Sequence, residues 1–270
     1  MAGMKIGVIG AGRMGEALIS GFLRSGAVKP AEIIIYDTSM ERLAYITQKY
    51  NLECCSDCET IAEVSDIVII SVKPKDAKTV LECLGSKITP NKTVVSVVAG
   101  LTTKYISQHF PLGVPVIRAM PNIACAVGDG MIAISPSRGT SQESLKVVQS
   151  YLNLVGRPLI LEEKYLSAVT GLSGSGPAYV ALVAEALADA GVKLGLSRED
   201  AELLASQTIL GTGRMLLEFS EPPSSLIGRV VTPGGTTAEG LRELEKGQFK
   251  EVLSAAVIAA AKKAEELETR

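Results

Sequence analysis

The sequence predicts an α/β protein in two parts, a doubly wound, mostly parallel sheet followed by an all-helical domain. Three observations carry this. Over the first 160 residues, short β-branched runs alternate with amphipathic stretches. After about Glu162 the strand-like runs almost vanish and long helical stretches follow one another. A Gly-x-Gly-x-x-Gly segment lies directly between the first apolar run and the first helical one. The chain therefore divides into residues 1–162 and 163–270.

Residues 5–9, 32–36, 66–72, 93–98, 114–118 and 131–134 read as strands. Most are continuously apolar, as parallel strands covered on both faces should be. Between them, helical periods run over 14–25 to Gly26, 40–50 to Asn51 and 141–154 to Gly156. In the second part, 178–190, 198–219, 237–246 and 249–267 read as helices, punctuated by Gly191, Gly195, Pro222-Pro223 and Gly247. Residues 178–190 and 252–261 are apolar or alanine on nearly every side, and a helix without a wet face is usually buried. Too few helices remain to bury both within one chain, so an obligate oligomer built on the helical domain is expected.

Composition excludes several classes. Lys plus Arg number 27 against 29 Asp plus Glu, a net charge of −2, so no basic excess is present to neutralise nucleic-acid phosphates. The longest apolar runs fall well short of the ~18 residues of a membrane span. The N-terminus enters an apolar strand without a charged leader, and a cytoplasmic protein is expected. His109 is the only histidine and stands at the expected frayed end of a helix, which rules out multi-histidine metal sites. No metal is expected. Five cysteines are present, and Cys55-x-x-Cys58 has redox or half-zinc spacing without a second pair to complete it; reduced thiols are expected.

Gly10-Ala11-Gly12-Arg13-Met14-Gly15 follows the first strand and opens a helix, and Asp37 closes the second strand. This is the context of a Rossmann dinucleotide site. Gly10 permits the tight turn, Gly12 lets a pyrophosphate approach the backbone, and Gly15 lets the helix pack on the strand. Asp37 is placed either to accept from the adenosine ribose hydroxyls, which favours NADH over NADPH, or to cap the helix that begins near Met40. Arg13 and Arg42 lie near enough to soften its repulsion of a 2′-phosphate. Ser71-Val72-Lys73-Pro74 and Val98-Ala99-Gly100 end the strands at 66–72 and 93–98 and should line the cleft, with Lys73 either near an anionic substrate or merely solvated.

In the helical part, Gly171-Leu172-Ser173-Gly174-Ser175-Gly176-Pro177-Ala178-Tyr179 opens the first long helix, with Pro177 in a favoured first-turn position. Thr232-Pro233-Gly234-Gly235-Thr236-Thr237 opens a later one. Its paired glycines and hydroxyls suit a carboxylate-binding nest, and suit plain N-capping by Thr236 equally well.

Taken in order, Gly10 to Gly15, Val72-Lys73-Pro74, Val98-Ala99-Gly100, Arg118-x-Met120-Pro121-Asn122, Gly171 to Tyr179 and Thr232 to Thr237, extended by Gly240-Leu241-x-x-Leu244-Glu245, resemble the Δ1-pyrroline-5-carboxylate reductase family. The similarity spans residues 4–267. It implies an N-terminal Rossmann domain, a C-terminal helical dimerisation domain, and reduction of a cyclic imine to L-proline, the last step of proline synthesis, with NADPH or NADH. Family dimers intertwine their helical domains so that each active site draws on both protomers, and assemblies of dimers occur. By position, Ile9, Gly10, Ala11, Gly12, Arg13, Met14, Asp37, Ser71, Val72, Lys73, Pro74 and Ala99 would contact the dinucleotide. Glu163, Gly235, Thr236 and Thr237 would contact the substrate. Asp37 stands where NADPH-using members often carry serine.

Reducing a C=N bond needs a hydride on carbon and a proton on nitrogen. Backbone N–H groups around Gly235 and Thr236 would grip the carboxylate, and the Thr237 hydroxyl would position the ring nitrogen or relay a proton, the catalytic role assigned here. A β-hydroxyacid dehydrogenase would place a lysine on the helix where this chain has Ala178-Tyr179-Val180-Ala181-Leu182-Val183-Ala184. The alternatives are a reductase of a related cyclic imine and a non-catalytic NAD(H)-binding regulator that senses redox through Cys55 and Cys58.

Overall fold

The computed structural model describes residues 3–268. One eight-stranded sheet runs in the order β3-β2-β1-β4-β5-β6-β7-β8. Its strands are β1 (Ile6–Ile9), β2 (Ile33–Tyr36), β3 (Glu53–Cys54), β4 (Ile67–Ile70), β5 (Thr93–Ser96), β6 (Val116–Pro121), β7 (Gly130–Pro136) and β8 (Gly156–Ile160). Neighbouring strands are parallel except β6 and β7, which are antiparallel.

The helices between the strands are α1 (Arg13–Arg24), α2 (Met40–Tyr50), α3 (Cys58–Val64), α4 (Pro74–Leu84), α5 (Thr103–Ser107) and α6 (Gln142–Leu152). The β-branched runs become strands because alternate side chains can be buried on opposite faces. In β4, Ile67 and Ile69 join Leu18, Phe22, Leu43, Ile46, Val148 and Leu152 in one core. Val68 and Ile70 join Ile61, Ala77, Leu81, Leu84 and Ile106 in the other. Each such isoleucine contributes roughly 1.5–3 kcal/mol by leaving water.

The remaining helices are α7 (Leu166–Val169), α8 (Gly176–Lys193), α9 (Arg198–Glu218), α10 (Pro223–Val230), α11 (Thr236–Lys246) and α12 (Phe249–Glu268), with a π-helical turn over Thr170–Gly174. Two compact units result: Met1–Ser175 with Ala259–Arg270, and Gly176–Ile258. Residues 163–175 and 259–268 thus belong to the same unit as the sheet, although the change from strands to helices comes after Ile160.

Several expectations are corrected. Gly156 does not close a helix: α6 stops at Leu152, and Gly156 opens β8, where a Cβ would lie 2.0 Å from the Gly130 carbonyl oxygen. β8 was missed because it is largely exposed and contains Pro158, which only an edge strand tolerates. β3 was missed because it is two exposed residues long. β6 does not end at Arg118 but continues to Pro121 on its pairing with β7.

The thiols are not all reduced. Cys58 and Cys83 form a disulfide with Cα atoms 6.4 Å apart, while Cys54, Cys55 and Cys125 are free. Helix packing between α3 and α4, rather than spacing in sequence, chooses this pair, and Cys55 is buried as a free thiol. The helical run Glu163–Lys193 is long and apolar enough by length and composition to cross a membrane, although polar residues interrupt its apolar stretches.

Within the second unit, α8 and α9 cross on small residues. Ala188, Ala201 and Ala205 are buried together, and a Cβ at Gly191 would lie 3.1 Å from that of Ala201. Little else on these helices is covered by the chain itself: Leu182 is 65% exposed and Leu203 67%. Most of the apolar surface of α8 and α9 therefore finds no cover within one chain.

Candidate active site

The strand order reverses between β1 and β4, and a cavity of about 470 Å³ opens at their carboxyl ends. Open α/β sheets bind their ligands at that position. Ile9, Gly10 and Gly12 at and beyond the end of β1, Tyr36, Asp37 and Thr38 at the end of β2, Ser71, Val72 and Lys73 after β4, and Lys75, Asp76, Thr79 and Val80 on α4 line it.

Gly10 has φ +95°, and a Cβ there would lie 2.5 Å from the Ser71 carbonyl oxygen. A Cβ at Gly15 would lie 2.1 Å from the Gly10 carbonyl oxygen, so only glycine lets α1 press onto the turn. At Gly12 a Cβ would meet nothing within 4 Å, leaving the backbone open to a ligand. Gly12 is also the N-cap of α1 and supplies no side chain to its free N–H groups. The Ser71 hydroxyl is buried without a hydrogen-bond partner. An open cradle, an uncapped helix start and an orphan hydroxyl fit a pyrophosphate-bearing dinucleotide.

Asp37 is not a helix cap. Ser39 caps α2, and Asp37 instead accepts from the Ala11 N–H at 2.7 Å and the Ser39 N–H at 2.8 Å. Its carboxylate is thereby fixed in the wall of the cavity. Among the residues assigned to the dinucleotide, Ile9, Gly10, Gly12, Asp37, Ser71, Val72 and Lys73 line the cavity. Ala11 is buried behind it, Arg13 and Met14 form the first turn of α1, and Pro74 is the first residue of α4. Ala99 lies after β5 and does not line this cavity. The α4 residues Lys75, Asp76, Thr79 and Val80 were missed; their i, i+1, i+4, i+5 spacing after Pro74 was the available signal.

A second cluster sits around Arg118 of β6 in the same unit. Arg118, 1% exposed, reaches Glu163 at 3.4 Å and pairs with Glu268 of α12. Glu163 accepts from the Thr103 N–H at 2.6 Å and the Thr103 hydroxyl at 2.8 Å. Asn122 donates to the Ser173 carbonyl at 3.1 Å, tying the Arg118-to-Asn122 segment to the glycine-rich one. Gly100, with φ +81°, would place a Cβ 2.7 Å from the Leu267 carbonyl oxygen. His109 turns its Nδ1 towards the Tyr105 carbonyl at 3.0 Å and does not line the β1–β4 cavity. Among the described residues, no group of three or more His, Cys, Asp and Glu could hold a metal ion.

In the helical unit, Gly235 is the N-cap of α11, and no side chain caps that helix. Plain N-capping by Thr236 is thereby ruled out. The Gly235 N–H is already committed to the Thr232 carbonyl at 3.0 Å, so the free donors are those of the first turn beyond it. Thr236 is exposed, and Thr237 lines a cavity of about 410 Å³ with Thr212, Leu226, Ile227, Val230 and Leu241 among its walls. By contrast, Ser39, Asp57, Thr102, Ser141 and Ser197 each cap their helices with a side chain.

Residues 163–267 match the pyrroline-5-carboxylate reductase dimerisation family, and residues 5–100 match the family described as NADP oxidoreductase, coenzyme F420-dependent. The chain is 42% identical to the pyrroline-5-carboxylate reductase of Arabidopsis thaliana over 97% of its own length and 95% of that protein. This chain belongs to the pyrroline-5-carboxylate reductase family. It is also 39% identical to the reductase of Mycobacterium tuberculosis over 97% of this chain and 96% of that one. A solved reductase of the family, that of Plasmodium falciparum with NADP bound, superposes with a TM-score of 0.87 at 34% identity, covering 99% of both chains. The family's dimerisation segment accounts for the uncovered apolar helices α8, α9 and α12.

Proposed function

We propose that this protein reduces the cyclic imine Δ1-pyrroline-5-carboxylate to L-proline with NAD(P)H, the last step of proline biosynthesis. The start of α11 carries the reading. It is free of any side-chain cap, its first turn bears Thr236 and Thr237, and Thr237 faces an apolar cavity. Membership of the reductase family across nearly the whole chain supports the same reaction.

The free N–H groups of that first turn and the helix dipole receive the substrate carboxylate, with Gly235 shaping the approach and the Thr236 hydroxyl at its side. Thr237 hydrogen-bonds the ring nitrogen and fixes the orientation of the imine. A hydroxyl is a weak acid at neutral pH, so Thr237 positions the nitrogen or relays a proton from water rather than acting as the primary acid. Glu163 retains acceptor capacity beyond its bonds to Thr103 and Arg118 and contributes it to the substrate.

A dihydronicotinamide bound in the β1–β4 cleft supplies the hydride. Ile9 to Met14, Asp37, Ser71 to Pro74 and Ala99 form its site in this reading. The fixed Asp37 carboxylate suits ribose hydroxyls and repels a 2′-phosphate, which favours NADH. Residues 1–162 then serve as the dinucleotide domain and 163–270 as the substrate and dimerisation domain. The working unit is a cytoplasmic homodimer joined through the helical domain, and assemblies of dimers build on it. Its uncovered apolar surface meets a second copy rather than a membrane or nucleic acid.

The test is oxidation of NADH and of NADPH by the purified protein on addition of pyrroline-5-carboxylate. Turnover with a higher kcat/KM for NADH is expected, and Asp37→Ser should shift the ratio towards NADPH. Dinucleotide binding without turnover would overturn the assignment of substrate.

A further inference from the structure

The dinucleotide cleft has a basic residue beside it that is not free. Arg42 lies in the first turn of α2, and its guanidinium is held on three sides. Its Nε donates to the Ala11 carbonyl, its terminal nitrogen pairs with Glu16 of α1, and its carbon lies 4.9 Å from the centre of the Tyr45 ring. Glu16 is held in turn by Lys49 at 2.9 Å and by the Tyr50 hydroxyl at 3.1 Å. The pair is largely sheltered, with side chains 30% and 20% exposed.

The placement matters because Ala11 is the residue whose N–H is bound by Asp37. Arg42 and Asp37 therefore hold the two sides of one residue, Arg42 at its C=O and Asp37 at its N–H. A guanidinium there is the group that a 2′-phosphate recruits, through paired charge-assisted hydrogen bonds. Glu16 competes for it from within the protein.

We propose that Glu16 is a specificity-determining residue for the dinucleotide. By holding Arg42 against α1, it withholds from a 2′-phosphate the only guanidinium of α2. Two acidic residues then act together: Asp37 repels the phosphate directly, and Glu16 occupies Arg42, one of the two arginines that would offset that repulsion. The inference rests on the dinucleotide reading of the cleft and extends it to a residue outside the cavity lining.

The test separates it from the reaction itself. Dissociation constants of the full-length protein for NADPH and NADH are measured by nicotinamide fluorescence with no imine present, and those for 2′,5′-ADP and 5′-AMP by competition. Glu16→Ala, Glu16→Gln, Arg42→Ala and Glu16→Ala/Arg42→Ala are compared with the parent. We expect Glu16→Ala to tighten NADPH and 2′,5′-ADP by ~10-fold, the scale of one charge-assisted contact. NADH and 5′-AMP should stay within twofold, and the gain should vanish in the double variant. Glu16→Gln, which keeps the side-chain volume, should shift in the same direction if Glu16→Ala folds poorly. An unchanged NADPH to NADH ratio, a gain that survives loss of Arg42, or equal weakening of both dinucleotides overturns the proposal. Failure to turn over pyrroline-5-carboxylate would instead count against the assigned reaction and leave these binding results standing.

Discussion

The guanidinium of Arg118 lies 3.4 Å from the carboxylate of Glu163, although 44 residues separate them and one is on a central strand while the other precedes α7. Arg118 is almost wholly excluded from water, and a charge so placed persists only when paired. Glu163 and Glu268 supply the pairing, and Thr103 fixes the orientation of Glu163. This network joins the sheet to the segment that leads into the helical part and to the end of α12.

Arg118→Met removes the cation and leaves two carboxylates facing each other without it. Loss of one partner of a buried pair costs about 3 kcal/mol or more, so a marked fall in the denaturation midpoint is expected. Arg118→Lys should recover only part of it, since an ammonium cannot span both carboxylates as a planar fork does. Chemical denaturation of the three proteins checks this.

Thr237→Ala should lower kcat/KM for the imine by ~10²-fold, the usual scale for a positioned proton-handling group. Thr237→Ser should retain most of the activity, because the hydroxyl persists. A loss under threefold in steady-state assays of Thr237→Ala would remove Thr237 from the mechanism.

Glu16 gives a pH signature. Burial opposes its charge, but hydrogen bonds from Lys49 and Arg42 outweigh burial and hold its carboxyl below the ordinary range. A lowered folded-state pKa contributes stability above the unfolded-chain value and loses it as the pH falls through the folded one. The melting-temperature difference between parent and Glu16→Gln should therefore be full at neutral pH and shrink below ~pH 4.

The thiols should divide by environment. Burial pushes the Cys125 thiol up to about 12 and raises that of Cys55, whereas Cys54 is exposed. Iodoacetamide at pH 8 should label Cys54 first and Cys125 last by peptide mass analysis. After denaturation without reductant, only Cys54, Cys55 and Cys125 should label, since Cys58 and Cys83 are bonded. Labelling of all five would remove the disulfide.

Leu182 on α8 is exposed in the single chain yet belongs to the dimerisation segment. Leu182→Asp should shift the protein towards monomer in sedimentation velocity and lower its activity with it.

The alternation of strand and helix, the glycine loop and its acidic partner, and the apolar helices left without cover are all legible along the chain. These are local signals: a period, a turn residue, a composition. The rest depends on contacts between distant elements. Asp37 had two readings, and only the approach of Ala11 and Ser39 to its carboxylate excluded the helix cap. Thr236 lost its capping role only because Gly235 took the cap position. Cys58 found Cys83 rather than Cys55 because α3 packs on α4. Arg42 looked available in the chain and is held by Glu16, 26 residues before it, in the fold. Partnerships between charges and between thiols depend on which elements pack together, and spacing along the chain does not encode that.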